Sequence, residues 1–214
     1  SNNSVNSGNR VPAPVTRQVD IKEVLSDDAL QHLAPEYQCC EALSIAMDIP
    51  IHETETDELA QAVTDVVEVE GPVHVEGIIQ RIRILWGVGK AGSRIRQAIQ
   101  QAIKMVKSDG EVLAHGKYLW NIDQELTTAR RRTGDPAPKL DLICKEEIQI
   151  AIRMVLDHQH ATPADDLAIQ TARVVGFGRT RNTVASGIKK IINAMIKSGA
   201  LEVQSNGMVH IADA

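Results

Sequence analysis

The sequence predicts a mainly α-helical protein with small β wings, built as two winged-helix (helix-turn-helix) units in tandem. Three observations predict it. The chain repeats itself: shifted by 89 residues, 58–117 lies on 147–206 without a gap. Apolar residues and glycines agree in the two copies, as at Leu59 and Ile148, Ala62 and Ala151, Ile78 and Leu167, Gly87 and Gly176, Ile99 and Ile188, and Gly110 and Gly199. Each copy also carries the same order of local signals, namely helix, short extended piece, helix, Gly-x-Gly turn, helix and hairpin. Agreement of all these levels, twice over, is what a single specified fold requires.

The elements follow in order. Residues 1–18, with Pro12 and Pro14 among Asn and Ser, read as a flexible linker. Residues 19–57 form an acidic N-terminal segment with a helix expected over Ile21–Leu33. A short strand is expected within Leu43–Ile51, limited by Pro50. The first winged-helix unit spans 58–122 and the second 147–214, joined by a linker at 123–146 that holds Arg130-Arg131-Arg132 and Gly134-Asp-Pro-Ala-Pro138.

Within each unit, apolar residues at 59, 62, 63, 66 and 67 mark the first helix (Glu58–Val69; Glu147–Asp157 in the second copy). An extended piece follows at Pro72–Val75 and Thr162–Ala164. The second helix runs Glu76–Trp86 and Asp165–Val175, with Asp165 as an N-cap, and Gly-x-Gly ends it. Ser93 and Asn182 are the expected N-caps of the third helix, which runs to about Lys107 and Lys197. Hairpins close the units at 112–122 and 201–211. The second turns at Asn206-Gly207, a pair that tolerates positive φ.

Composition bounds the function. The chain has 214 residues, 43% hydrophobic and 24% charged, which suits one large or two small domains and excludes a disordered chain over most of its length. No apolar run reaches the ~18 residues of a membrane span. Three cysteines, two of them adjacent, suit neither a disulfide scaffold nor a structural zinc site. Aromatics are 2% of the chain, so platforms for stacking single-stranded bases are scarce. The chain does not begin with Met and Ser1-Asn2 opens no signal peptide, so it reads as a processed product or, preferably, as a fragment of a longer protein, and its cysteine usage suits a reducing, cytoplasmic compartment.

The charge is unevenly placed. Residues 1–70 carry a net charge of −11 and residues 71–214 a net charge of +6. No acid lies between Glu76 and Asp109, or between Asp166 and Glu202. An ordinary solvated helix mixes both signs at i,i+4. Projected at 100° per residue, Ile95, Ile99, Ala102, Ile103 and Val106 share the core face of the third helix, and basic and amide side chains fill the other. The candidate nucleic-acid-binding residues are therefore Lys90, Arg94, Arg96, Gln97, Gln100, Lys104, Lys107 and Lys117 in the first unit. In the second they are Arg179, Arg181, Ser186, Lys189, Lys190 and Asn193. Lys and Arg neutralise phosphates, while Gln and Asn can pair with adenine edges. A basic solvated helix on a protein-binding unit is the competing interpretation.

Other motifs lead nowhere. Gly87-Val-Gly-Lys-Ala-Gly-Ser93 lacks the adjacent Gly-Lys-Ser/Thr of a phosphate loop and follows a helix rather than a buried strand. His158 and His160 have no third ligand at metal spacing. Cys39, Cys40 and Cys144 have no neighbouring His to activate a thiolate. No catalytic residue, metal or cofactor is expected.

The string Val67-Glu-Val-Glu-Gly-Pro-Val-His-Val75, followed by Arg81-Ile-Arg83, Trp86-Gly87, Lys90-Ala-Gly-Ser-Arg-Ile-Arg96 and Tyr118-Leu-Trp120, resembles a known family. It is similar to the C-terminal domain of unknown function of very large bacterial helicase-like proteins, which carry superfamily 1 helicase motors and a restriction-endonuclease-like domain. The resemblance covers about residues 40–211. It implies a setting of DNA processing, with helicase and nuclease domains of the parent chain as partners and a nucleoid-associated location. It supplies no site residue. The expectation is a non-catalytic module that holds duplex DNA through weak, salt-sensitive, largely sequence-independent contacts and has no membrane partner. The alternative is a protein-docking module of the same parent. In either case the acidic segment could cover the basic helices when DNA is absent.

Overall fold

The computed structural model describes residues 26–134 and 138–212. The expected linker 1–18 and the start of the expected helix 21–33 lie outside the described residues. That helix is present as α1 (Asp27–His32), capped by Ser26, whose hydroxyl accepts from Ala29 N–H at 3.1 Å.

Two blocks of equal design follow. The first comprises α2 (Thr56–Glu70), β1 (Val73–His74), α3 (Val75–Leu85), α4 (Ser93–Ser108), β2 (Leu113–His115) and β3 (Tyr118–Trp120). The second comprises α5 (Lys145–Gln159), β4 (Thr162–Pro163), α6 (Ala164–Val174), α7 (Asn182–Lys197), β5 (Leu201–Val203) and β6 (Met208–Ile211). The three long helices and the first strand of each block keep their bounds at the offset of 89, and the hairpins differ by one or two residues.

Each block ends in a three-stranded antiparallel sheet, ordered β1-β3-β2 and β4-β6-β5. Pro163 lies on the edge strand β4, where its missing N–H breaks no ladder. The protein is thus mainly helical, with two small sheets among the described residues.

The apolar stripes drive the packing. Leu59, Ala62, Val63, Val66 and Val67 of α2 meet Ile78, Ile79 and Ile82 of α3 and Ile99, Ala102 and Val106 of α4 in one core. Ile148, Ala151, Ile152 and Val155 of α5 meet Leu167 and Ala168 of α6 and Ile188 and Ile192 of α7 in another. Ile99 and Ile188 are fully buried at equivalent positions, and Ile95 and Val184 are half-buried against the same cores.

Two expectations need correction. No strand forms over 43–51. The alternation Leu43 to Ile51 instead follows an irregular path into a 3-10 turn at Ile51–Glu53. Its backbone groups are taken by side chains: Asp65 accepts from Ser44 N–H at 2.7 Å, and Trp86 Nε1 donates to the Ile49 carbonyl at 2.9 Å. Nor do Ser93, Asn182 and Asp165 cap their helices. Gly92, Arg181 and Pro163 hold those positions without a side-chain cap, each helix starting one or two residues earlier than a side-chain cap there requires. The expected linker 123–146 is itself packed. Ala129, Ile143 and Cys144 are buried, and the side chains of Arg130 and Arg132 between them are held by protein groups.

Those arginines build a seam between the blocks. Glu147, at the start of α5, is fully buried and accepts from Arg130 Nε at 3.1 Å, Arg130 Nη2 at 2.9 Å, and Arg132 Nη1 and Nη2 at 2.8 and 2.9 Å. The Arg130 backbone N–H adds a bond at 2.9 Å. The Arg130 guanidinium also donates to the carbonyls of Glu70, Gly71 and Pro72 at 2.8–3.1 Å. It thereby caps the orphan carbonyl end of α2 with a positive charge.

The Tyr37 ring lies under both guanidiniums, 4.8 Å from Arg130 and 4.3 Å from Arg132. Its hydroxyl donates to Glu70 at 2.9 Å, and Glu70 also holds Arg81 and the Cys40 N–H. Burial alone would push the Glu147 carboxyl up, but the hydrogen bonds from Arg132 and Arg130 prevail and hold it below the usual carboxylate range. Tyr118 adds a second tie, donating to the Asp141 and Ile143 carbonyls at 2.7 and 3.1 Å.

Candidate nucleic-acid interface

The basic helices α4 and α7 each follow a glycine turn. In the first block Gly87 takes φ +70°, and Arg83 Nη1 ties the turn by donating to the Val88 and Gly89 carbonyls at 2.8 and 2.7 Å. Arg83 belongs to the acid-free stretch, yet its guanidinium serves the turn. Lys90 is exposed on it. No acid occupies the first turn of α4, and no side chain caps it, so its amide end is left positive.

Along α4 the side chains of Arg94, Gln97, Gln100, Gln101, Lys104 and Lys107 are exposed. Arg94, Gln97, Gln101 and Lys104 follow the i, i+3, i+7, i+10 ridge of one helical face. The core face of the same helix is the one the periodicity requires.

The β2–β3 hairpin reaches the same region. Val75 N–H donates to the Lys117 carbonyl at 2.9 Å, and the adjacent Glu76 holds Arg96. Lys117 itself is exposed at the hairpin tip. Thirteen of the fourteen candidate residues thus fall on or beside a basic helix, and Lys117 joins them through the start of α3.

Two candidates are engaged within the protein. Arg96 forms a bidentate pair with Glu76, and Lys189 lies 2.5 Å from Asp165. The Arg96 hydrogen bonds hold the Glu76 carboxyl below its ordinary range. These acids belong to α3 and α6. Among the described residues, no ion pair joins the acidic segment to the basic helices.

The second block is less basic. Arg179 and Arg181 are exposed in its turn and line an open cleft of about 870 Å³ with Lys139 and Arg132. Ser186, Lys190 and Asn193 are exposed along α7 and Lys189 is half-buried. By strand register Tyr118 and Leu119 correspond to Met208 and Val209, so Gly207 stands where Lys117 stands and this hairpin tip carries no cation.

His74, which falls in the extended piece expected over Pro72–Val75, ends β1 half-buried. Its Nδ1 accepts from Glu76 N–H at 3.0 Å and caps α3, and its ring meets Tyr118 edge-on at 5.1 Å. Burial, with Lys117 nearby, lowers its pKa below the ordinary value. A group depressed in this way binds its proton more readily when unfolded, so its contribution is complete above about pH 6.5 and is lost as pH falls through the folded value. We expect His74→Asn, a cap that does not titrate, to reduce the fall in melting temperature between pH 7.5 and pH 5, and His74→Ala to cost about 1 kcal/mol at pH 7.5 and less at pH 5.

Burial pushes the Cys144 thiol up to about 12 and raises that of Cys40, so neither is a thiolate at neutral pH. Among the described residues no group of three or more His, Cys, Asp or Glu is placed to hold a metal ion, and no helix is long and apolar enough to cross a membrane.

Neither a curated protein nor a solved structure matches the chain. Residues 50–97, from the 3-10 turn through α2, β1, α3 and the glycine turn to the first residues of α4, match a family described as a protein of unknown function (DUF3320).

Proposed function

We propose that the protein is a non-catalytic module that binds duplex DNA through two winged-helix units, 58–122 and 147–214, with α4 and α7 as the helices that enter the groove. The observation that carries this reading is the exposed face of α4. It presents Arg94, Lys104 and Lys107 with Gln97, Gln100 and Gln101, and no acid on the helix itself. Helix, turn, helix and wing is the order in which such units present a recognition helix. The order of elements in both blocks supports the same reading.

Phosphate neutralisation dominates the chemistry offered, so binding is salt-sensitive and carries little base information. The amides add a mild preference at most. The resemblance of residues 40–211 to the C-terminal region of large bacterial helicase–nuclease proteins supports a role in holding DNA while motor and nuclease domains act.

A low-salt mobility-shift assay with duplex, single-stranded and forked DNA tests this reading. Arg94→Ala with Lys104→Ala should weaken binding alike on all duplexes. It should flatten the salt slope by about 0.9 per lost phosphate contact. Affinity that does not change with salt, or variants that bind like the wild type, would move the assignment to protein docking. That second reading is favoured by Met105 on α4 and Leu113 on the wing, large apolar side chains exposed beside the basic face.

A further inference from the structure

Glu76 and Asp165 stand 89 residues apart, at equivalent positions in the first turns of α3 and α6. Each reaches a cation on the basic helix that follows. Glu76 grips Arg96 with both oxygens at 2.7 Å, and Asp165 Oδ1 lies 2.5 Å from Lys189 Nζ. The cations themselves are not equivalent: Ala185 stands at the position of Arg96, and Gln100 at that of Lys189. The acid position is therefore kept in both blocks while its partner is supplied from different turns of the basic helix. Among the described residues, each is the one ion pair made by its basic helix.

We propose that Glu76 and Asp165 act as internal anions, each occupying one cation of its basic helix in the free protein and releasing it to a backbone phosphate when duplex DNA binds. The inference rests on the duplex-binding reading of α4 and α7 and concerns the regulation of that surface.

Three features fit the exchange. A carboxylate and a phosphate present paired oxygens to the same guanidinium fork, so one can replace the other. Both pairs are open to water, with side-chain exposures of 41% and 32% for Arg96 and Glu76 and 42% and 74% for Lys189 and Asp165. Exposed pairs are also weak enough to be opened by a row of phosphates. A cation taken from a carboxylate brings less to binding than a free one, because the acid left behind repels the incoming phosphate. Arg96 and Lys189 should therefore contribute less to affinity and salt slope than Arg94 or Lys104.

The test compares Glu76→Gln, Asp165→Asn and the double variant with the wild type, by fluorescence anisotropy on a short duplex across a salt series. Both substitutions keep the backbone groups of their helix starts, and an unchanged unfolding midpoint verifies the fold. Asp157→Asn, in an exposed acid of α5 that makes no ion pair among the described residues, controls for net charge.

The expected result is a gain of roughly 2- to 5-fold in affinity per substitution, with a steeper salt slope, combining in the double variant, and no gain from Asp157→Asn. Binding that appears only in the double variant would also support the inference. Wild-type binding with unchanged or weakened variants would overturn it and leave the duplex reading standing. Equal gains from Asp157→Asn would overturn it as well, since net charge would then be the cause. Absence of binding in every variant would overturn the duplex reading, and this inference with it.

Discussion

Replacing Glu147 by Ala is expected to lower folding stability by about 3–5 kcal/mol, the range for removing one member of a buried ion pair and leaving the rest charged. Five hydrogen bonds from Arg130 and Arg132 converge on this carboxylate, which is fully buried. Neither guanidinium can shed its proton, and each is only 14% exposed. The charges would be stranded where the Tyr37 ring and the carbonyls at the end of α2 now position them. Glu147→Gln keeps the shape but turns an amide donor toward arginine donors, so it should recover only part of the loss.

Urea unfolding measures both variants. Because the Glu147 carboxyl is held below its usual range, its contribution is complete above about pH 4.3 and is lost as pH falls through the folded value. The Ala variant should therefore show a shallower loss of stability below pH 4.3 than the wild type. An equal loss in both, or a change in midpoint equivalent to under 1 kcal/mol, would mean that the seam is not a stabilising element.

Gly176→Ala should be comparably severe, and the equivalent change Gly87→Ala should not. Both glycines make the turn before the basic helix, and both have positive φ, +105° at Gly176 and +70° at Gly87. An added Cβ at Gly87 meets nothing within 4 Å, so only the left-handed backbone is penalised, at about 1–2 kcal/mol. At Gly176 the same atom would collide with the Arg132 carbonyl oxygen, and the Arg132 N–H bonds the neighbouring Val175 carbonyl at 3.1 Å. The turn cannot accept a side chain without parting from the seam, at a cost of about 3 kcal/mol or more. Thermal unfolding of the two variants gives the comparison directly. Equal shifts would show that the contact with residue 132 is dispensable.

The repeat was legible because it depends on local pattern. Helical stripes and turn glycines are set by residues three to four apart, so the offset of 89 located three helices and a strand in each block. The exposed face of α4 followed from the same periodicity.

What was not legible depends on partners distant in sequence. Arg130 and Arg132 fall in the expected linker, and nothing local says that their acceptors are Glu147 and the end of α2. A signal was present all the same. Glu147 falls in register with Ala151 and Val155, and Glu70 with Val63, Val66 and Val67, so each acid lies on an apolar stripe. An acid there must find a cation when buried. Repeat matching obscured this, because the counterpart of Glu147 is Glu58, which is exposed. Pairing of Arg96 and Lys189 was hidden for a related reason: acid-free stretches were counted from Glu76 and Asp166, at the very acids, or beside them, that fold back onto the helices.

The path of residues 26–53 bears on how the chain comes together during translation. Leu30 and Ala34 are buried in the core of α5, α6 and α7, whereas Cys40, Leu43 and Ile51 belong to the core of α2, α3 and α4. The helix α1 is complete at residue 32, but its seat on α6 begins only at residue 164. At ribosomal speeds it waits on the order of ten seconds with its apolar side unmet, while the first block can close around Leu43 and Ile51. Nascent chains arrested before α6 should thus present α1 to chaperones, and a ribosome that stalls within the second block leaves α1 and the second core incomplete together.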